Sequence, residues 1–175
     1  LFDAERQEFF FLEMNTRLQV EHGVTEEVMG VDLVEWMVRG GMGDYAFMDR
    51  AAPTARGHAV QVRLYAEDPA LDYRPTTGTL SALSFPDSIR AETWCEAGTT
   101  ISAWYDPMIA KLITHADTRE GAIGAMQAAL AESRIDGIET NLRWLRDVVQ
   151  GESFIAGTVT TRRLASTPYP PRRCP

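Results

Sequence analysis

The sequence predicts an α+β fold, on three observations. From Glu13 to Glu21 the side chains alternate strictly, with Glu13, Asn15, Arg17, Gln19 and Glu21 on one parity and Leu12, Met14, Leu18 and Val20 on the other. That is the period of an extended strand with one apolar face. Between Gly57 and His115 short alternating runs follow one another, separated by turns rich in Gly, Pro and Asp. Beyond Thr118 the apolar residues change to helical spacing. Strands and helices that come in separate runs, rather than alternating one by one, are the order of an α+β chain.

In chain order, Leu1-Phe2, the polar Asp3 to Gln7 and the apolar Phe9 to Leu12 read as a hairpin. Its first strand is cut at Leu1, which is not an initiator Met, so the chain is expected to be an excerpt of something longer. After the alternating segment, Thr25 is the predicted N-cap of a helix, with Glu26 and Glu27 at the positive end of its dipole. Val28, Met29, Leu33, Val34 and Met37 form its stripe, which ends before Gly40-Gly41. Gly40-Gly41-Met42-Gly43 follows a helix, whereas phosphate loops follow a strand and open one, so it reads as a C-cap and linker. Asp44 to Gly57, with Pro53, is the predicted boundary between a unit at 1–52 and one at 57–164.

The second unit opens with a strand in which Val60, Val62 and Leu64 alternate with Gln61, Arg63 and Tyr65, ended by Asp68-Pro69. Strands are expected at Thr79 to Phe85, Ile89 to Cys95 and Ile109 to His115, with turns at Thr76-Thr77-Gly78, Pro86-Asp87 and Ala97-Gly98. Thr118 then caps a helix with stripe Ala122, Ile123, Met126 and Leu130, broken at Asp136-Gly137. A second helix runs from Thr140 or Asn141 with Leu142, Leu145, Val148 and Val149 inward. The stretch 165–175 has no periodicity and four prolines, the composition of a disordered tail.

The chemistry is concentrated in Glu13 to Glu21. A half-buried strand with a solvated face gives the same alternation. Such a face is usually filled with Lys, Glu, Thr and Ser, whereas Asn and Gln sit poorly in strands unless their amides have partners. Glu13 and Asn15 offer hard oxygen ligands on one side, suited to Mg²⁺ held by few protein oxygens and by substrate phosphates. Arg17 offers a flat fork of donors for a carboxylate, carbonate or phosphate. Glu21 lies on the same face as a proton acceptor.

The ten residues from Glu13 to His22 resemble the active-site signature of biotin-dependent carboxylases, at the end of their ATP-grasp domain. One departure follows at once: Gly23 stands where the family has Pro, which is expected to loosen the turn into the next helix. The stretches Gly57 to Pro69, Arg74 to Leu80, Tyr105 to Ile113, Thr118 to Ile123 and Arg134 to Leu142 resemble the biotin carboxylase C-terminal domain, in order and spacing. The likeness therefore runs from Leu1 to about Leu164. Glu92-Thr93-Trp94, Trp104 to Pro107 and Phe154 to Val159 are most similar to the urea carboxylase branch, with acyl-CoA or pyruvate carboxylase subunits as the alternative.

The resemblance implies a ligase reaction in which ATP activates bicarbonate as carboxyphosphate and biotin on a separate carrier is carboxylated. It implies that Glu13 and Asn15 bind Mg²⁺ or Mn²⁺ bridging the nucleotide phosphates. Arg17, Gln19, Val20 and Glu21 match the bicarbonate pocket, with Glu21 as the base and Arg17 steadying the carboxyphosphate charge. Arg90 matches an arginine that stabilises charge on carboxyphosphate and on the biotin ring. The implied partners are a biotin carboxyl carrier domain, a carboxyltransferase domain and a second copy in a homodimer. The family's Gly-rich loop and nucleotide-binding lysines have no counterpart here, where Lys111 is the only lysine, so the chain by itself is expected to be inactive. A noncatalytic product serving dimerisation or carrier docking is the reading from another class.

Composition sets the remaining bounds. A net charge of −8 argues against nucleic acid and anionic membranes as general partners. No apolar run approaches the roughly 20 residues of a spanning helix. Cys95 and Cys174 have no metal or redox spacing, which places the chain in a reducing, cytoplasmic setting. His22 is expected to hydrogen-bond structurally, His58 and His115 to have no clustered partners, and Asp106 to be a buried carboxylate paired with an Arg. Lys111 is expected within a strand, outside any biotin-attachment context.

Overall fold

The computed structural model of the chain describes residues 1–49 and 51–160. The expected hairpin is present but short: β1 (Phe2–Asp3) pairs antiparallel with β2 (Glu8–Phe9), Phe2 opposite Phe9 with ring centroids 4.8 Å apart. Asp3 Oδ1 accepts the N–H groups of Glu5 and Arg6, which closes the turn.

The strand expected over Glu13 to Glu21 does not form. A strand is made by its ladder, and alternation supplies only a face for it to bury. Among the described residues no strand lies beside this segment, and the side chains of Leu12 and Met14 are 71% and 74% exposed.

The single helix expected from Thr25 is two. α1 (His22–Met29) starts three residues earlier, with Thr25 inside it, and ends at Gly30, whose φ of 64° is left-handed. Gly30 N–H bonds to Glu26 O at 2.8 Å, and Asp32 then caps α2 (Leu33–Gly41) by accepting Glu35 N–H at 2.7 Å. A left-handed glycine followed at once by an Asx cap competes with continuing one helix, and here the caps win. Gly40 and Gly41 close the last turn of α2 instead of lying beyond it. Ala46–Asp49 adds one 3₁₀ turn within the expected linker.

The rest forms around a three-stranded antiparallel sheet. In chain order come β3 (His58–Tyr65), β4 (Glu67–Asp68), β5 (Arg74–Pro75), β6 (Gly78–Thr79), β7 (Ala82–Ser84), β8 (Arg90–Thr93), β9 (Thr100–Ile101) and β10 (Met108–Ala116). Then follow α3 (Arg119–Glu132), β11 (Arg134–Asp136), α4 (Leu142–Gln150) and α5 (Glu152–Ile155). The sheet order is β3-β10-β8, with β3 at one edge. Thr118 caps α3 as expected, its side chain accepting Gly121 N–H.

The strand expected from Thr79 to Phe85 is divided, because β6 pairs with β9 while β7 pairs with β11. The change of partner falls at Leu80 and Ser81, where Ser81 N–H bonds to Asp136 O at 2.8 Å. Gly137, with φ 105°, packs so closely there that a Cβ would lie 2.2 Å from Thr79 O. β11 and α5 were not expected from the sequence: three residues at the end of a helical pattern carry too little period to read as a strand.

One face of the sheet makes the core. Val60, Val62 and Leu64 with Ala110 and Leu112 meet the α3 residues Ala122, Ile123, Met126 and Leu130, and α4 adds Leu142, Leu145 and Val149. Fully burying a Leu, Met or Val is worth about 1.5–3 kcal/mol each, so this face fixes the sheet. The opposite face carries Gln61, Arg63, Arg90, Glu92, Lys111 and Ile113 in register, with Lys111 between Arg63 and Glu92. α1 lies over that face. Gly23 is buried there, in α1, where a Cβ would come within 2.3 Å of Ile113 Cδ1, so it is a packing position and not the loosened turn expected. The tail expected at 165–175 lies outside the described residues.

Candidate active site

Although the strand is absent, its polar parity converges. Glu13, Asn15, Arg17, Gln19 and Glu21 all line one groove of about 380 Å³, together with Met14 and Leu18 of the other parity, and His22, Thr25 and Leu33 from the two helices complete the wall. Glu21 ends the segment at the N-cap of α1 and its Oε2 accepts Arg63 NH2 at 2.7 Å, which ties the groove to the edge strand β3. Arg17 donates to Leu18 O at 3.3 Å and is otherwise exposed. Val20 and Arg90 do not line this groove.

Behind it, α1 and the sheet close a ring of charges. Arg90 NH2 lies 2.5 Å from Glu26 Oε2 and 2.5 Å from Glu92 Oε1, and its NH1 reaches Glu27 at 3.2 Å. Lys111 Nζ lies 2.6 Å from the other oxygen of Glu92, 3.1 Å from Val20 O and 3.2 Å from His22 Nε2. His22 Nδ1 faces Glu26 Oε1 at 3.0 Å, within ion-pair distance though poorly aligned as a hydrogen bond, and the same oxygen accepts Leu33 N–H at 2.9 Å.

The electrostatics follow from the pairing. Burial pushes the Glu26 carboxyl up, but the Arg90 hydrogen bond, with Leu33 N–H and His22, outweighs it and holds the group below its ordinary value. Glu92 behaves alike: burial raises it, and Lys111 and Arg90 bring it lower. Burial pulls the Arg90 guanidinium down, while Glu26, Glu27 and Glu92 together hold it above its ordinary value. Glu26, Glu92 and Arg90 are therefore held in their charged forms by one another and by their neighbours.

Other expected residues fall elsewhere. Asp106 is not a buried carboxylate paired with an arginine: it is exposed and accepts Met108 N–H at 2.8 Å, a local turn that satisfies the group more cheaply than burial would. His115 Nε2 meets Arg56 O at 2.9 Å. Among the described residues no three His, Cys, Asp or Glu side chains are gathered so as to hold a metal ion.

Sequence reasoning missed Glu26, Arg63 and Lys111. Glu26 looked like a dipole residue, and Arg63 like the solvated parity of a strand. Lys111 carried a signal, being the only lysine in a chain otherwise furnished with arginine, and it is 9% exposed.

Residues 61–166 match the biotin carboxylase C-terminal domain, and residues 1–46 match the ATP-binding domain of the carbamoyl-phosphate synthase L chain. The chain is 45% identical over 171 residues to a urea amidolyase of Lachancea kluyveri, covering 98% of this chain and 9% of that one. The crystal structure of Kluyveromyces lactis urea carboxylase superposes with a TM-score of 0.93 at 43% identity, over 96% of this chain and 15% of that one. The biotin carboxylase domain of Hydrogenobacter thermophilus 2-oxoglutarate carboxylase, solved as a dimer with MgADP, ADP and bicarbonate, superposes with a TM-score of 0.88 at 36% identity, over 92% of this chain and 36% of that domain. The chain thus spans about a third or less of each of these relatives. With the biotin carboxylase C-terminal domain matching more than half of this chain, and the chain superposing on solved members, it belongs to the biotin carboxylase family.

Proposed function

We propose that this chain supplies one wall of a biotin carboxylase site of the urea carboxylase type, for ATP- and bicarbonate-dependent carboxylation of biotin on a separate carrier domain. The observation that carries this reading is the convergence of Glu13, Asn15, Arg17, Gln19 and Glu21 on one groove, with Glu21 oriented by Arg63.

In this reading Arg17 and Gln19 hold bicarbonate at the Val20 backbone, and Glu21 takes the proton from the bicarbonate hydroxyl. Arg17 then faces the carboxyphosphate charge with a donor fork whose geometry suits it. Glu13 and Asn15 are hard oxygen donors at the same groove, and two protein ligands suit Mg²⁺ or Mn²⁺ that takes its other ligands from phosphates and water. When bound, that ion would offset the negative charge that builds up as phosphate is transferred. Arg90 stabilises charge on carboxyphosphate and on biotin, held in place by Glu26, Glu27 and Glu92. Residues 1–52 act as the end of an ATP-grasp unit and 57–164 as the C-terminal domain. The proposed partners are a carrier domain, a carboxyltransferase domain and a second copy, in a cytoplasmic setting. Among the described residues no helix is long and apolar enough to cross a membrane.

The test is a chimera in which this chain replaces its matching stretch in the Kluyveromyces lactis urea carboxylase. Bicarbonate-dependent ATP hydrolysis in the presence of free biotin is expected, and Glu21→Gln is expected to abolish it. A folded chimera that binds Mg-ATP but hydrolyses it no faster than its Glu21→Gln variant would overturn the reading.

A further inference from the structure

We infer that Lys111 is a positioning residue for the bicarbonate side of the site, acting through the Val20 carbonyl and the His22 ring. The inference rests on the reading of the groove given above. Lys111 sits in the central strand β10, 9% exposed, at a position where an apolar residue would satisfy the fold. Burying an ammonium is costly unless every proton finds an acceptor. Here three acceptors surround it: Glu92 Oε2, Val20 O and His22 Nε2.

Two consequences follow from the chemistry of the ammonium. It has three donors and no lone pair, so His22 Nε2 must accept, and the ring proton must sit on Nδ1, facing Glu26 Oε1. Lys111 and Glu26 thus select one neutral tautomer between them. Meanwhile the bond to Val20 O fixes the plane of the peptide joining Val20 to Glu21, because that unit is rigid. The Glu21 backbone, and with it the start of the side chain held by Arg63, is set by a residue that lies 91 positions from Val20. Lys111 does not itself line the groove and meets its wall only through His22, so its effect is on placement.

The test has two arms. In the chain itself, ¹⁵N correlation spectra of the His22 ring at pH 8 are expected to show the Nδ1–H tautomer, and Lys111→Met is expected to move it toward Nε2–H. In the chimera, Lys111→Met is expected to raise the KM for bicarbonate roughly tenfold or more, the scale for losing a charge-assisted hydrogen bond, with the KM for ATP unchanged and partial rescue by Lys111→Arg. An unchanged tautomer in Lys111→Met overturns the proposal. So does a switched tautomer accompanied by loss of kcat alone or by equal changes in both KM values, which a merely structural role would give. An inactive parent chimera instead overturns the functional reading on which the proposal rests.

Discussion

Replacing Glu26 with Gln separates the charge ring from ordinary surface pairing. The Glu26 side chain is 4% exposed and serves Arg90, His22 and Leu33 N–H at once. A glutamine keeps an oxygen for Leu33 N–H but turns an NH₂ group toward Arg90, losing the acceptor 2.5 Å away. Removing one partner of a buried pair costs about 3–5 kcal/mol. Arg90 is 33% exposed and retains Glu27 and Glu92, so the expected loss is smaller, about 2 kcal/mol. With a urea m-value of about 2 kcal/mol/M, the unfolding midpoint read by tryptophan fluorescence should fall by about 1 M. Glu27→Gln, at a half-buried site with a single 3.2 Å contact, should stay within about 0.5 kcal/mol of the parent. The pH dependence has a defined sign. Glu26 is held below its ordinary value when folded, so its contribution is present above the unfolded carboxylate value of about 4.3 and is lost as pH falls through the lowered one. The gap between parent and variant should therefore narrow as pH drops below about 4.3. A midpoint shift under about 0.3 M at pH 7, or a gap that widens in acid, would refute the charge-ring account.

Other substitutions probe the groove and the packing beneath it. Arg63→Ala breaks an exposed pair and should cost under about 1 kcal/mol in stability, while lowering kcat/KM for bicarbonate in the chimera about tenfold because Glu21 loses its orientation. Gly23→Ala should destabilise the parent by about 1 kcal/mol through its contact with Ile113 Cδ1, yet be neutral or stabilising in an Ile113→Val background, as read by a double-mutant cycle. Asn141→Ala removes the side chain that accepts Tyr65 N–H and donates to Arg63 O on the edge strand. It should cost about 2–3 kcal/mol and speed hydrogen exchange at the Tyr65 amide.

Most of the second unit was legible because its signals are local. The apolar parity of β3 and the stripes of α3 and α4 are the faces that the core buries, and Thr118 caps where a threonine before a helical stripe should. The first unit was misread for a physical reason. Alternation from Glu13 to Glu21 records which side chains share a face, but the hydrogen-bond ladder of a strand belongs to its neighbour, and one sequence window cannot contain it. Gly30 and Asp32 were visible, yet the continuous apolar stripe across them argued for one helix, and only the capping geometry ended it.

What the sequence by itself determined is the chemistry of the groove: which oxygens, amides and guanidinium stand at alternate positions, and the family whose signature they match. What the tertiary structure decided is which charges compensate which. Arg90 meets Glu26 across 64 residues, and Lys111 meets Val20 across 91. A charge read along the chain gives only its sign; its partner depends on the sheet register and on where α1 lands. Lys111, read from sequence as one residue of a strand, acquires its role only when β10 places it under the signature.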